Sequence, residues 1–163
     1  MLINKNMIYT ENHLTKKAKG LVIVTHGIAL HSLYYRKISK LLNDGGYSVV
    51  LYDVRGHGKS QGPRGDIKSV FDFTTDLKVL VDKTRQTFDG PIYLLGHSMG
   101  GIITNIYSTL YDNYDGSIIM ASPTQKTNLG IFNFIPFSLF GSLKMKTDFK
   151  DERLSHFPPG DNI

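Results

Sequence analysis

Four short apolar runs set the strongest limit on what this chain can fold into: Leu21 to Val24 (LVIV), Val49 to Tyr52 (VVLY), Ile92 to Leu95 (IYLL) and Ser117 to Met120 (SIIM). Each is bounded by Gly, Pro, Asp or Ser, and none alternates polar with apolar residues. A strand that is apolar on both sides must be covered on both sides, which is the situation in a parallel sheet flanked by helices. The segments between the runs have helical spacing. His31 to Asn43 places Tyr34, Tyr35, Ile38, Leu41 and Leu42 on one side and stops at Gly45-Gly46, where glycine accepts a left-handed cap. Ser69 to Phe88 carries Val70, Phe73, Leu77, Leu80, Val81 and Phe88 in register behind a capping-box-like Ser69 and Asp72. Met99 to Leu110 repeats the period through Ile102, Ile103 and Ile106. Strands and helices therefore alternate, which predicts an α/β fold with a doubly wound, mostly parallel sheet and right-handed crossovers. The segment before Leu21, with Met7 to Thr10 as a strand, is expected to add an edge hairpin.

At 163 residues the chain is one domain's length and can bury a core without staples. It has no Cys, which excludes disulfides, thiolate metal sites and cysteine nucleophiles. A net charge of +5 is too modest to imply a nucleic-acid partner. The first residues lack the apolar stretch and small-residue cleavage site of a secretory signal, so a cytoplasmic location is expected. After Ala121 the alternation ends. Residues 1–122 are read as the α/β core, and 123–163, with Pro123, Pro136, Pro158 and Pro159, as a partial cap or a tail.

Chemistry-bearing residues fall at the ends of the apolar runs. Gly96-His97-Ser98-Met99-Gly100 is a GxSxG pentapeptide lying between a run and a helical segment, the strand-turn-helix setting of a nucleophile elbow. There Ser98 would be lifted above the sheet at a helix N-terminus, with Gly96 and Gly100 leaving room for the sharp turn. The competing reading is a Gly-rich turn with a capping serine, and the context favours the nucleophile. His26-Gly27-Ile28 follows the first run, where the N–H of Ile28 can join that of Met99 as an oxyanion donor. Asp53-Val54-Arg55-Gly56-His57-Gly58-Lys59-Ser60 follows the second run. Its mechanical reading is a tight turn in which Asp53 takes local N–H groups. The alternatives, His57 as a base or Asp53 and His57 as metal ligands, are weaker, the metal reading because no third ligand has sensible spacing, and a serine nucleophile implies neither metal nor organic cofactor.

HG at 26–27, DxRGHGxS at 53–60 with Gly62 and Gly65, and GHSMG at 96–100 resemble, in order and spacing, the α/β hydrolase superfamily. The likeness is greatest to its monoacylglycerol lipase, lysophospholipase and serine aminopeptidase-like branch. The resemblance implies that 1–122 is the N-terminal part of that fold, with the beginning of a cap behind it. It also implies Ser98 as nucleophile, Ile28 and Met99 as oxyanion donors, and structural duty for His26, Gly27, Asp53, Gly56, His57, Gly58, Gly96 and Gly100. The implied substrate is a small lipid ester, with peptide cleavage or acyl transfer as alternatives on the same fold.

A serine nucleophile needs a base, and this fold supplies its acid and histidine later in the chain. Asp148 or Asp151 with His156 satisfies the order only nominally, within a few polar, Pro-flanked residues. The chain is therefore expected to be an incomplete member, and a non-catalytic remnant or interaction module is the competing class. Phe132, Phe134, Phe137 and Phe140, near Lys144, Lys146 and Lys150, suit transient contact with a membrane surface and a buried cap core equally well.

Overall fold

A computed structural model describes residues 2–3, 6–64 and 69–122. Its elements in chain order are β1 (Leu2–Ile3), β2 (Asn6–Met7), β3 (Thr10–His13), β4 (Leu21–Thr25), a 3-10 turn (Ser32–Tyr35), α1 (Arg36–Asp44), β5 (Ser48–Tyr52), α2 (Val70–Arg85), β6 (Ile92–His97), α3 (Met99–Leu110) and β7 (Gly116–Met120). The main sheet has the order β3-β5-β4-β6-β7, parallel throughout except for the antiparallel β3. Register places Thr25 opposite both Tyr52 and Gly96, and His97 opposite Met120. The parallel strands thus finish at one level, and the loops that follow them gather at one edge of the sheet.

The continuous apolar runs do what two-sided burial requires. Ile23, Val50 and Leu94 point into a core shared with Leu77, Leu80 and Val81 of α2 and with Ile103 and Tyr107 of α3. Their neighbours Val22, Val24, Val49, Leu51 and Leu95 form a second core on the other face, closed by Tyr35 and by Ile38 and Leu42 of α1. β7 is different, because Ile118 and Met120 stay 51% and 37% exposed.

Three expectations need correction. The segment after His31 is not one helix, because a 3-10 turn precedes α1 and changes the angular phase between its residues. Tyr35 is buried with Ile38 and Leu42, at i, i+3 and i+7, while Tyr34 and Leu41, expected on the same side, are 64% and 71% exposed. The glycine stop is a Schellman arrangement: Gly46, at φ 89°, donates to Asn43 O, and Tyr47 N–H donates to Leu42 O. At α2, Ser69 caps through its side chain, accepting from Phe71 N–H at 3.2 Å, but Asp72 does not complete a capping box. It faces Arg55 at 3.4 Å instead. The edge strand begins at Thr10 rather than ending there. Tyr9 is held by side chain and backbone of the 53–60 loop, its N–H on Ser60 Oγ and its carbonyl on Asp53 N–H.

The packing makes a contrast that sequence period alone misses. Leu77→Ala, at a side chain with no exposure, is expected to cost about 2–5 kcal/mol. Leu41→Ala is expected to change stability by less than about 0.5 kcal/mol, and urea unfolding of the two variants measures both.

Candidate active site

The turn between β6 and α3 is tight. Ser98 sits at φ 52°, ψ −116°, a region that side chains avoid, and its N–H donates to Met120 O at 3.0 Å. The turn is possible because two glycines let α3 press onto the strands. A β-carbon on Gly100 would overlap Thr25 O, and one on Gly96 would overlap Gly100 O and come within 2.5 Å of Thr104 Oγ1. Ser98 stands at the N-cap of α3, yet its hydroxyl makes no capping hydrogen bond. That answers the capping alternative: the oxygen is not occupied by the helix it precedes. Met99 opens the helix, where the first N–H groups have no intrahelical acceptor.

The loop after β4 lies against this turn. A β-carbon on Gly27 would be 3.1 Å from His97 Nδ1 and 3.3 Å from Ser98 Cβ. Leu30 N–H closes on Gly27 O at 3.2 Å, with Ala29 at φ 58°, so residues 27–30 make a compact turn that leaves Ile28 43% exposed. Beneath it His26 is 1% exposed and uses both ring nitrogens. Val54 N–H donates to Nε2 at 2.9 Å, so the ring proton is on Nδ1 and is given to Gly27 O at 2.8 Å. Burial pushes the pKa of His26 down to about 4. The imidazole is a neutral strut between the first two loops.

Asp53 braces the same edge. Its carboxylate accepts from Ser32 N–H and Lys59 N–H, each at 2.7 Å, and Ser60 Oγ donates to its carbonyl. Burial opposes ionisation of Asp53, but these two backbone donors outweigh it and hold the carboxyl below the ordinary range. Gly56 and Gly58 have φ of 72° and 48°, and at Gly58 a β-carbon would overlap the Asp53 carboxylate. His57 donates from Nδ1 to Arg55 O at 3.1 Å, its ring 5.3 Å from that of His26. Burial lowers its pKa too. Arg55 makes a bidentate pair with Asp76 of α2, at 2.6 and 2.7 Å.

The residues singled out in sequence therefore converge, with Ser98, Ile28 and Met99 at the exposed edge and His26, Asp53 and His57 behind them. Asp148, Asp151, His156 and the aromatic window at 131–140 lie outside the described residues, as does Gly65. The sequence reading missed Tyr35, whose Oη accepts from Gly27 N–H, and Asp76, whose partner is Arg55. A tyrosine and an aspartate on helical segments carry no pattern that marks them. Among the described residues no group of three or more His, Asp or Glu could hold a metal ion. No helix among them is long and apolar enough to cross a membrane. A groove of about 620 Å³ lies elsewhere, between β3 and the C-terminal end of α2, lined by Leu21, Val50, Leu80 and Phe88 with none of the motif residues.

The family model described as serine aminopeptidase, S33, matches residues 16–156. The chain belongs to this family of α/β hydrolases. Among the relatives of this hydrolase-family chain, human monoglyceride lipase is 31% identical over 115 residues, 70% of the chain and 38% of that protein. Bacillus subtilis phospholipase YtpA is 35% identical over 84 residues, 52% of the chain and 32% of that protein. The crystal structure of Paleococcus ferrophilus monoacylglycerol lipase superposes with a TM-score of 0.65 at 30% identity, covering 75% of this chain and 46% of the other. The chain thus spans roughly a third to two fifths of the curated relatives it matches.

The neutral strut has a pH signature. In the unfolded chain His26 takes up a proton near pH 6.5, whereas in the folded protein it does so only near pH 4. Its contribution is fully present above pH 6.5 and is lost as pH falls toward 4, up to roughly 3 kcal/mol. Urea unfolding between pH 7 and pH 4 should show this slope, with a weaker contribution of the same sign from His57. His26→Asn should be less stable at pH 7 but shallower in slope, and an unchanged slope would refute the buried neutral imidazole.

Proposed function

We propose that Ser98 is the nucleophile of a serine hydrolase acting on carboxylic esters of the lipid kind, with monoacylglycerols and lysophospholipids as the substrate class. The observation that carries this reading is the Ser98 hydroxyl, held at a strained turn at the head of α3 and not used as a cap. The relatives, a monoglyceride lipase and a phospholipase, support the ester and lipid parts of the reading.

In this mechanism Ser98 Oγ attacks the ester carbonyl carbon while its proton passes to a general base. The carbonyl oxygen becomes an oxyanion and accepts hydrogen bonds from the N–H groups of Ile28 and Met99. Such donors lower the barrier because they are already oriented when charge develops. Collapse of the tetrahedral species expels the alcohol, which recovers the proton, and leaves an acyl group on Ser98. Water then repeats the sequence, releasing the carboxylic acid and regenerating the serine. His26, Asp53 and His57 hold the loops and transfer no proton to substrate.

Among the described residues, His26 and His57 are bonded to loop backbone, and His97 Nδ1 is engaged by the Tyr35 hydroxyl. This observation favours a second reading, a non-catalytic module retaining the cradle without turnover. A fluorophosphonate probe separates the two. The first reading expects one covalent adduct by intact mass, mapped to Ser98 and absent from Ser98→Ala, together with hydrolysis of medium-chain monoacylglycerols. Folded wild-type protein that stays unlabelled would leave the second reading standing.

A further inference from the structure

Tyr35 is the one side chain described here whose polar atom touches both the loop carrying Ile28 and the turn carrying Ser98. It is 3% exposed, although its neighbours Leu33 and Tyr34 in the same short 3-10 turn are exposed. Its Oη accepts from Gly27 N–H at 3.1 Å and lies 2.6 Å from His97 Nδ1. The two rings are tilted, with centroids 5.9 Å apart. Gly27 packs closely on the turn: a β-carbon there would stand 3.1 Å from His97 Nδ1 and 3.3 Å from Ser98 Cβ. Burial raises the pKa of the Tyr35 phenol, so it keeps its proton and has a single hydrogen to give.

The hydrogen-bond inventory points to a direction, because a buried hydroxyl proton left without an acceptor is costly. Oη already accepts the Gly27 N–H, and among the described residues its own proton has one acceptor in reach, His97 Nδ1. We propose that Tyr35 is a positioning residue: its hydroxyl ties the Gly27–Ile28 peptide to the Ser98 turn and holds His97 as the Nε2–H tautomer. The inference rests on the reading of Ser98 as nucleophile and of Ile28 as oxyanion donor. What it adds is the part that sets where the Ile28 N–H points. That direction matters because misplacing a reacting or stabilising group by about 1 Å costs on the order of a hundredfold in rate.

The variant is Tyr35→Phe, which removes one oxygen and keeps the ring. Side-chain nitrogen shifts of His97 in the ¹⁵N-labelled full chain report the tautomer, and amide exchange reports the Gly27 hydrogen bond. Wild type is expected to carry the proton on Nε2 and to protect the Gly27 amide. Tyr35→Phe is expected to mix the two tautomers and to exchange Gly27 at least tenfold faster. It should also slow fluorophosphonate labelling of Ser98 by about 10- to 100-fold. Leu77→Ala, destabilised by a cavity far from the turn, should keep the tautomer, which separates positioning from a general loss of structure. The proposal is overturned by a wild-type His97 protonated on Nδ1, or by a Tyr35→Phe protein with unchanged tautomer and Gly27 exchange. If wild type does not label at all, the nucleophile reading falls, while tautomer and exchange still decide the role of Tyr35 because neither needs a reaction. Should Tyr35→Phe fail to fold, the wild-type tautomer and Gly27 protection decide it.

Discussion

The close approach of the first turn of α3 to the end of β4 is the constraint on which the site depends. Gly100 lies where any side chain would collide with the carbonyl of Thr25, and Gly96 lies where one would collide with Gly100 itself. With both glycines in place, the chain can leave β6 and enter the helix through a single residue. That residue is Ser98, and its positive φ is the geometric result of making the reversal so short. The helix N-terminus is thereby brought to the C-terminal edge of the sheet, where its free N–H groups favour negative charge.

Around that contact the loops are held by buried polar groups rather than by apolar packing. His26 spans two loops with its two nitrogens, Asp53 gathers amides from Ser32 and Lys59, and Arg55 anchors the second loop to α2 through Asp76. Each of these groups is satisfied, so the network gives rigidity without an unpaired buried charge. Loops made this way keep backbone N–H groups in fixed directions, which apolar contacts, having no directionality, do not ensure.

The sequence made the sheet legible because strands buried on both faces must be apolar throughout, and the runs at 21–24, 49–52 and 92–95 lie inside strands 21–25, 48–52 and 92–97. The elbow was legible because its two glycines and serine are chemical necessities at fixed spacing. The phase of the segment at 32–44 was not. Its apolar residues read as one broad face, but Tyr35, Ile38 and Leu42, at i, i+3 and i+7, reach the core, while Tyr34 and Leu41 at the margin of that face stay exposed. The edge strand was misplaced because its position is set by Ser60 and by the Asp53 backbone, about fifty residues away. Tyr35 was invisible as a site residue for the same reason: its partners, Gly27 and His97, meet only once the sheet has formed.

The backbone at residue 98 puts evolutionary pressures on stability and chemistry in opposition. A side chain held at φ 52°, ψ −116° carries strain of order 1–3 kcal/mol that glycine would not. If folding were the only requirement, glycine would be the better residue at this position. A serine there is a local sacrifice of thermodynamic robustness, and a screen for thermotolerant variants of this chain would be drawn toward glycine at this position, erasing the hydroxyl.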